Sequence, residues 1–148
     1  MIEVPHPAIL PAGFEFHHVG YATNSVQNEE ASFRFLGYKT EGPVFTDQVQ
    51  GVSGVFMTGP GPRVEILENL PGRLTLSPWL RSGSRFYHFA YWVDSLLHAV
   101  EWSRGNRAKL LAVPEPAPAF GGRRIAFVIF RGGLMLEFIE RNLPVNQS

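Results

Sequence analysis

Two histidines and two glutamates recur at matching places in this chain. "FHHVGYAT" at 16–23 aligns with "FYHFAYWV" at 86–93, setting His18 opposite His88, and "VEILE" at 64–68 aligns with "LEFIE" at 136–140, setting Glu65 opposite Glu137. His18 and Glu65 are 47 positions apart, and His88 and Glu137 are 49 apart. A single strand histidine is more often a packed residue than a ligand, and a single glutamate at a strand end usually faces water. At duplicated positions, inside apolar runs such as "LMLEFIE" where an unpaired carboxylate is costly, the four together call for a different explanation. Two imidazoles and two carboxylates suit one divalent first-row ion, cobalt, nickel, zinc, manganese or iron, with room for water or substrate oxygens. The chain has no cysteine, which removes disulfides, thiolate sites and a thiol nucleophile, and leaves the chemistry to histidine and carboxylate.

The elements that must carry these residues follow from periodicity and punctuation. A strand is expected at 14–23, then a helix capped by Asn24 or Ser25 and stopped by Gly37, with Val26, Phe33 and Leu36 on its packed face. Strands follow at 38–45, 51–57 and 62–68, divided by Gly and Pro signals such as "TGPGP". The second half repeats the order: a strand at 85–93, a helix capped by Asp94 and stopped by Gly105, then strands at 109–113, 123–130 and 134–140. The fold class is therefore α+β, with paired βαβββ modules at 14–68 and 85–140 joined by a linker at 69–84 in one 148-residue domain. A short helical turn is expected from Pro78 in the linker.

Alternation on the strands lists the side chains facing the pocket: Phe16, His18 and Gly20; Arg63, Glu65 and Leu67; Phe86, His88 and Ala90; Met135, Glu137 and Ile139. Val64, Ile66, Leu136 and Phe138 are left for the helices. By the same rule the neighbours His17 and His18 point to opposite faces, so His17, like His6 and His98, reads as a surface or packing residue. Two half-barrels related by a pseudo-twofold axis would bring His18, Glu65, His88 and Glu137 to one point.

Thirteen basic residues balance thirteen acidic ones, which gives no reason to expect a nucleic-acid or anionic-membrane partner. The beginning of the chain lacks a basic stretch followed by a long apolar run, and "IAFVIF" at 125–130 is too short to cross a bilayer, so a cytoplasmic protein is expected.

At "HHVGYAT", "VEILEN", "YHFAYWVDSL" and "LMLEFIE" the chain resembles the vicinal-oxygen-chelate superfamily, which includes glyoxalase I, methylmalonyl-CoA epimerase, extradiol dioxygenases and bleomycin-resistance proteins. The likeness runs over about residues 14–140, and "QGVSGVFM" at 50–57 with the "ENLPGRLTLSPWLRSG" linker looks most like methylmalonyl-CoA epimerase. The resemblance implies a half-open barrel of paired βαβββ modules around a metal held by His18, Glu65, His88 and Glu137, enolisation of a small-molecule carbonyl or thioester substrate, and a homodimer. Glu137 is the first choice as base, with Glu65 serving the other substrate face.

The sequence departs from the family where some epimerases carry an acid after "QGV", here Gly54; it also lacks an "HPK" segment before the last strand and an Asp-Pro-Asp-Gly turn before the final glutamate. Candidate substrate contacts are Gln50, Trp79, Phe120, Arg123 and Arg124, the two arginines as partners for a carboxylate or phosphate. A glutathione-dependent lactoylglutathione lyase and a non-catalytic binding protein are the alternative functions. An extradiol dioxygenase fits less well, because its site uses two His and one Glu and Glu65 would fill a further position.

Overall fold

In the computed structural model, which describes residues 10–144, the elements run in chain order as two similar series. The first holds β1 (Glu15–Ala22), α1 (Val26–Phe35), β2 (Lys39–Asp47), β3 (Val52–Thr58) and β4 (Val64–Asn69). A short helix α2 (Ser77–Ser82) leads to β5 (Phe86–Val93), α3 (Leu96–Gly105), β6 (Lys109–Leu110), β7 (Glu115–Pro116), β8 (Arg124–Ile129) and β9 (Met135–Glu140). His6 lies outside the described residues.

The strands form one mixed sheet in the order β2-β3-β4-β1-β5-β9-β8-β6, with β7 also paired to β8. Each series pairs its first strand in parallel with its last, β1 with β4 and β5 with β9, because a helix supplies the crossover between them. The two series meet where β1 and β5 run antiparallel. A pseudo-twofold axis passes between those two strands, so His18 sits opposite Ala90 while Gly20 sits opposite His88. The sheet curls without closing. The end of β2 approaches a 3₁₀ turn at Pro118–Phe120, which narrows the gap.

Helices cover the convex face as expected. Val64 and Ile66 pack with Val26 and Phe33 under α1, and Leu136 and Phe138 pack with Leu96, Ala99 and Val100 under α3. Burying each such aliphatic or aromatic side chain is worth about 1.5–3 kcal/mol, which is what holds each helix to its half of the sheet. The concave face carries two further clusters. One, around Leu67, Leu76, Tyr87 and Met135, is closed by α2; the other, around Phe56, Ala90, Phe120 and Ile139, is closed by the 3₁₀ turn.

Local expectations met several corrections. Ser25 caps α1 through the Asn28 amide, but Leu36 falls at the C-cap and is exposed rather than packed. The N-cap of α3 is Ser95, which accepts from the His98 amide at 3.1 Å; Asp94 instead pairs with Arg141 at 2.7 Å. The strand expected at 109–113 ends after two residues, and the Pro-rich stretch beyond it forms the β7 bridge and the 3₁₀ turn.

The largest correction concerns parity. Phe16 pairs with Tyr91 and His18 with Ala90, so His17 is an extra residue on β1; Tyr21 pairs with Phe86 and Gly20 with His88, so Tyr87 is an extra residue on β5. Each bulge turns two successive side chains toward the concave face and sends the residue before them to the convex one. Phe16 and Phe86, expected in the pocket, are therefore 43 % and 65 % exposed on the outer surface. His17 and Tyr87 turn inward in their place.

Candidate metal centre

The four duplicated side chains converge in the middle of the concave face. His18 comes from β1, Glu65 from β4, His88 from β5 and Glu137 from β9, all four residues at most 4 % exposed. Register explains the convergence: Glu65 lies beside Gly20, which lies opposite His88, and Glu137 lies beside Ala90, which lies opposite His18. Each carboxylate is thus one strand removed from the histidine of the other half. Gly20 has a steric reason to be glycine, since a Cβ there would run into the ring of His88.

The His18 and His88 Nε2 atoms are 3.0 Å apart. His18 Nε2 is 3.2 Å from Oε1 of both Glu65 and Glu137, and His88 Nε2 is 3.4 Å and 3.2 Å from the same two oxygens. One ligand atom from each residue lies within 4.8 Å of the other three. Neighbouring ligands about 2.1 Å from a shared ion stand roughly 3.0–3.4 Å apart, depending on octahedral or tetrahedral geometry, so the spacing fits a first-row divalent ion. Charge fits as well: two carboxylates balance a divalent ion when both imidazoles are neutral, and among the described residues Glu137 Oε1 is a buried acceptor with no hydrogen-bond partner.

With protons alone, the same groups are strongly polarised. Burial opposes charge on His88, but the Glu137 and Glu65 carboxylates overcome it and hold its pKa up at about 9. His18 is raised in the same way against its burial, chiefly by Glu65 and Glu137. Burial would raise Glu65, yet His18 and His88 hold it down at about 2, and Glu137 is likewise lowered by the imidazoles against its burial.

The surroundings of the two histidines differ. Each has the edge of a phenylalanine from the strand beyond the neighbouring glutamate, Phe56 against His18 and Phe127 against His88. His18 is also stacked on Phe120, 5.9 Å between centroids and 19° between planes, and its Nδ1 lies 2.7 Å from Nδ1 of His17. His17 packs against Phe56, Trp92 and Phe120, and burial, with the nearby His18 and Arg63, lowers its pKa to about 4. In the other half, Tyr87 lies beside His88 and Trp79, and His88 Nδ1 has no partner among the described residues. A cavity of about 230 Å³ borders this end of β5, lined by Trp79, Phe86, Tyr87, His88, Phe89 and Met135 among others, although the His88 side chain itself is fully buried.

The remaining sequence candidates are dispersed. Trp79 borders the His88 cavity, and Phe120 covers His18. Gln50 is engaged with Asp47, donating to its carboxylate at 2.8 Å. Arg123 donates to the carbonyls of Arg141 and Phe120 and lies over Trp92, so its guanidinium pins the 3₁₀ turn. Arg124 faces the convex side, in a pocket with Leu96, Val100 and Glu140, across the sheet from the centre. His17 and Tyr87 are the neighbours of the centre that alternation overlooked. The signal for them is a pair of large ring residues before a valine or phenylalanine in both halves, but that pattern does not by itself reveal a bulge.

The sequence model of the glyoxalase/bleomycin resistance protein/dioxygenase superfamily matches residues 17–127. The chain belongs to that superfamily. A search of curated proteins gives no match. Among solved structures, a hypothetical protein from Bacillus halodurans C-125 is similar at 21 % identity and a TM-score of 0.74, over 90 % of this chain and 99 % of that one. The methylmalonyl-CoA epimerase of Mycobacterium tuberculosis is similar at 19 % identity and a TM-score of 0.73, over 95 % and 96 % of the two chains. A Streptomyces coelicolor methylmalonyl-CoA epimerase variant in complex with 2-nitronate-propionyl-CoA gives 18 % identity and a TM-score of 0.67, over 85 % and 96 %. At these identities the likeness is one of fold. No helix among the described residues is long and apolar enough to cross a membrane.

Proposed function

We propose that this protein is a divalent-metal-dependent isomerase or epimerase that enolises an acyl thioester, in the manner of methylmalonyl-CoA epimerase. The observation that carries the reading is the buried convergence of two imidazole nitrogens and two carboxylate oxygens, spaced as ligands of one ion. The names of several structural neighbours support the substrate class.

In this reading His18, Glu65, His88 and Glu137 hold one divalent ion, which supplies Lewis-acid stabilisation to negative charge developing on the substrate carbonyl oxygen, worth several kcal/mol. Glu137 removes the proton from the carbon next to the carbonyl, a general-base contribution of order 10²–10⁴-fold. Glu65, its pseudo-twofold mate, serves the opposite face: protonated from solvent beforehand, it gives that proton to the enolate carbon, and the proton taken by Glu137 returns to solvent, which restores both groups. The aromatic wall of Phe56, Phe120 and Phe127 keeps bulk water from the developing carbanion. Substrate enters beside His88, past Trp79 and Tyr87. The protein works as a cytoplasmic homodimer, with each chain holding its own site; sedimentation showing only monomer would remove the dimer and leave the site untouched.

The test couples metal to proton exchange. Purified without added metal, wild type should carry about one divalent ion per chain, and His88→Ala should lose most of it. Glu137→Gln, which keeps an oxygen ligand but no base, should retain more metal than Glu137→Ala while losing turnover by 10²-fold or more. In deuterated water, wild type with 2-substituted malonyl-CoA or acyl-CoA thioesters should place deuterium next to the thioester carbonyl. Exchange with no thioester, alongside conversion of the glutathione hemithioacetal of methylglyoxal to a hydroxyacyl thioester, would replace the epimerase by a lyase. Tight binding with no exchange at all would replace the enzyme by a binding protein.

A further inference from the structure

We propose that His17 is the positioning residue for the metal ligand His18, its Nδ1 accepting the Nδ1–H of His18 and so fixing His18 Nε2 as the lone-pair donor at the centre. The inference rests on the metal-site reading above and adds to it a residue outside the four-residue cluster. A neutral imidazole carries one proton on one of its two nitrogens. If Nε2 of His18 is to face a metal with its lone pair, the proton must be on Nδ1, and a proton there needs an acceptor in a buried site. The atom 2.7 Å from it is Nδ1 of His17. Both protons are then placed, since His17 in this pairing carries its own on Nε2.

Three features hold His17 in that position. The bulge on β1 turns its side chain to the concave face, where strict alternation would have turned it away. Its ring is wedged edge-on among Phe56, Trp92 and Phe120, at centroid distances of 5.0–5.9 Å. Its carbonyl oxygen accepts from Arg63 Nη1 at 2.9 Å, which anchors the bulged backbone to the segment entering β4. His17 is outside the set of four converging ligands: its Nδ1 meets Nδ1 of His18, while the other nitrogen of the His18 ring, Nε2, meets His88 at the centre.

The other half makes the same bulge without making the same contact. Tyr87 occupies the place of His17, and its ring packs beside His88 at 4.8 Å, but His88 Nδ1 has no partner among the described residues. Orientation of the second imidazole is left to the Gly20 cradle and to Phe127. The two duplicated ligands are therefore held by different devices, one by a hydrogen bond and one by shape.

The experiment measures zinc affinity by competition with a chromophoric chelator in wild type, His17→Phe, His17→Asn and Tyr87→Phe. His17→Phe keeps an aromatic ring in the wedge but removes the acceptor, and should weaken zinc binding 10–100-fold, the usual effect of losing a partner to a ligating histidine. His17→Asn puts an amide oxygen where Nδ1 stood and should recover most of that loss, which a purely packing role would not. Tyr87→Phe should stay within twofold of wild type. In zinc-loaded wild type, ¹⁵N imidazole spectra should show His18 protonated at Nδ1, and that observation needs no variant to fold. His17→Phe binding zinc as tightly as wild type, or Nδ1 of His18 found without its proton, would overturn the role of His17. Wild type that binds no zinc would instead overturn the metal reading beneath it.

Discussion

The two halves of this protein share a skeleton and differ in what surrounds it. Both place a histidine on the first strand, a glutamate on the last, a phenylalanine opposite that glutamate, and a bulge just before the histidine. In the first half the bulged residue is His17, and the histidine beside it is bonded at Nδ1 and stacked on Phe120. In the second half the bulged residue is Tyr87, the histidine's Nδ1 has no partner among the described residues, and a cavity lies alongside. What the duplication kept is the set of atoms that meet at the centre. What it let diverge is the outer side of each imidazole, and on the proposed function that divergence separates a closed, anchoring side from an open side that admits substrate.

The sharpest way to break this comparison is to exchange the small residues opposite the two histidines. Gly20 lies under His88 and Ala90 under His18, and only the former has no room for a methyl group. Gly20→Ala should push His88 off the centre and lower the metal content of purified protein to well below half of wild type. Ala90→Gly, the mirror change, should leave metal content unchanged and cost about 0.5–1 kcal/mol of stability from the greater freedom of glycine in a strand. Metal analysis and denaturant unfolding read the two effects separately. Full metal content in Gly20→Ala would show that the second imidazole is not held by shape.

A second, smaller difference is carried by protons. In the metal-free protein His88 is raised to about 9 and His17 is lowered to about 4, from a common ordinary value of 6.5. A raised histidine contributes stability that is fully present below 6.5 and is lost as pH rises through 9. A lowered histidine acts the other way: the unfolded chain binds the proton more tightly, so stability falls as pH drops from 6.5 through 4. Glu65, lowered from 4.5 to about 2, adds stability above 4.5 that disappears as pH falls through 2. Chelated protein should therefore be most stable near pH 6.5, losing stability toward pH 9 because of His88 and toward pH 4 because of His17. In His17→Asn the decline between pH 6.5 and 4 should become shallower, while the alkaline limb remains. Because metal requires neutral imidazole, the rise in Tm on adding zinc should grow from pH 6 to pH 9. Urea unfolding across this range, with and without chelator, checks both limbs.

How much of this was legible in the sequence depends on which interactions set each feature. The paired modules and the convergence of His18, Glu65, His88 and Glu137 were readable because each rests on composition and period within a single element, repeated in both halves. The side of the sheet taken by His17 was not, because a bulge is a property of two paired strands and appears only when Phe16, His18, Ala90 and Tyr91 are in register. The α3 cap was ambiguous for a local reason: Asp94 and Ser95 are both good caps, and Arg141, 46 residues or more downstream of them, drew Asp94 away. Arg123 and Arg124 were adjacent and chemically alike, so only strand direction could separate them. Arg123 was absorbed by carbonyls of the 3₁₀ turn and of Arg141, while Arg124 was turned to the helix side.

The smallest expected effect bears on that same parity. Phe16 and Phe86 would sit in the metal pocket if β1 and β5 alternated without interruption, and a polar substitution there would then disturb buried ligands. With the bulges, both rings lie on the convex surface, Phe16 against Phe89 and Tyr91 and Phe86 against Tyr21. Phe86 is 65 % exposed, so replacing it removes little buried area, and surface substitutions of this kind usually change stability by no more than about 0.5 kcal/mol. Phe86→Ser should therefore bind zinc within twofold of wild type and unfold at nearly the same urea concentration. Phe16→Ser, whose ring is more covered and meets two aromatic edges, should lose somewhat more stability, on the order of 1 kcal/mol, and still keep full metal content. A tenfold loss of zinc affinity in either variant would mean that these side chains reach the concave face, and the shared bulge, with the inward placement of His17 and Tyr87 that depends on it, would have to be abandoned.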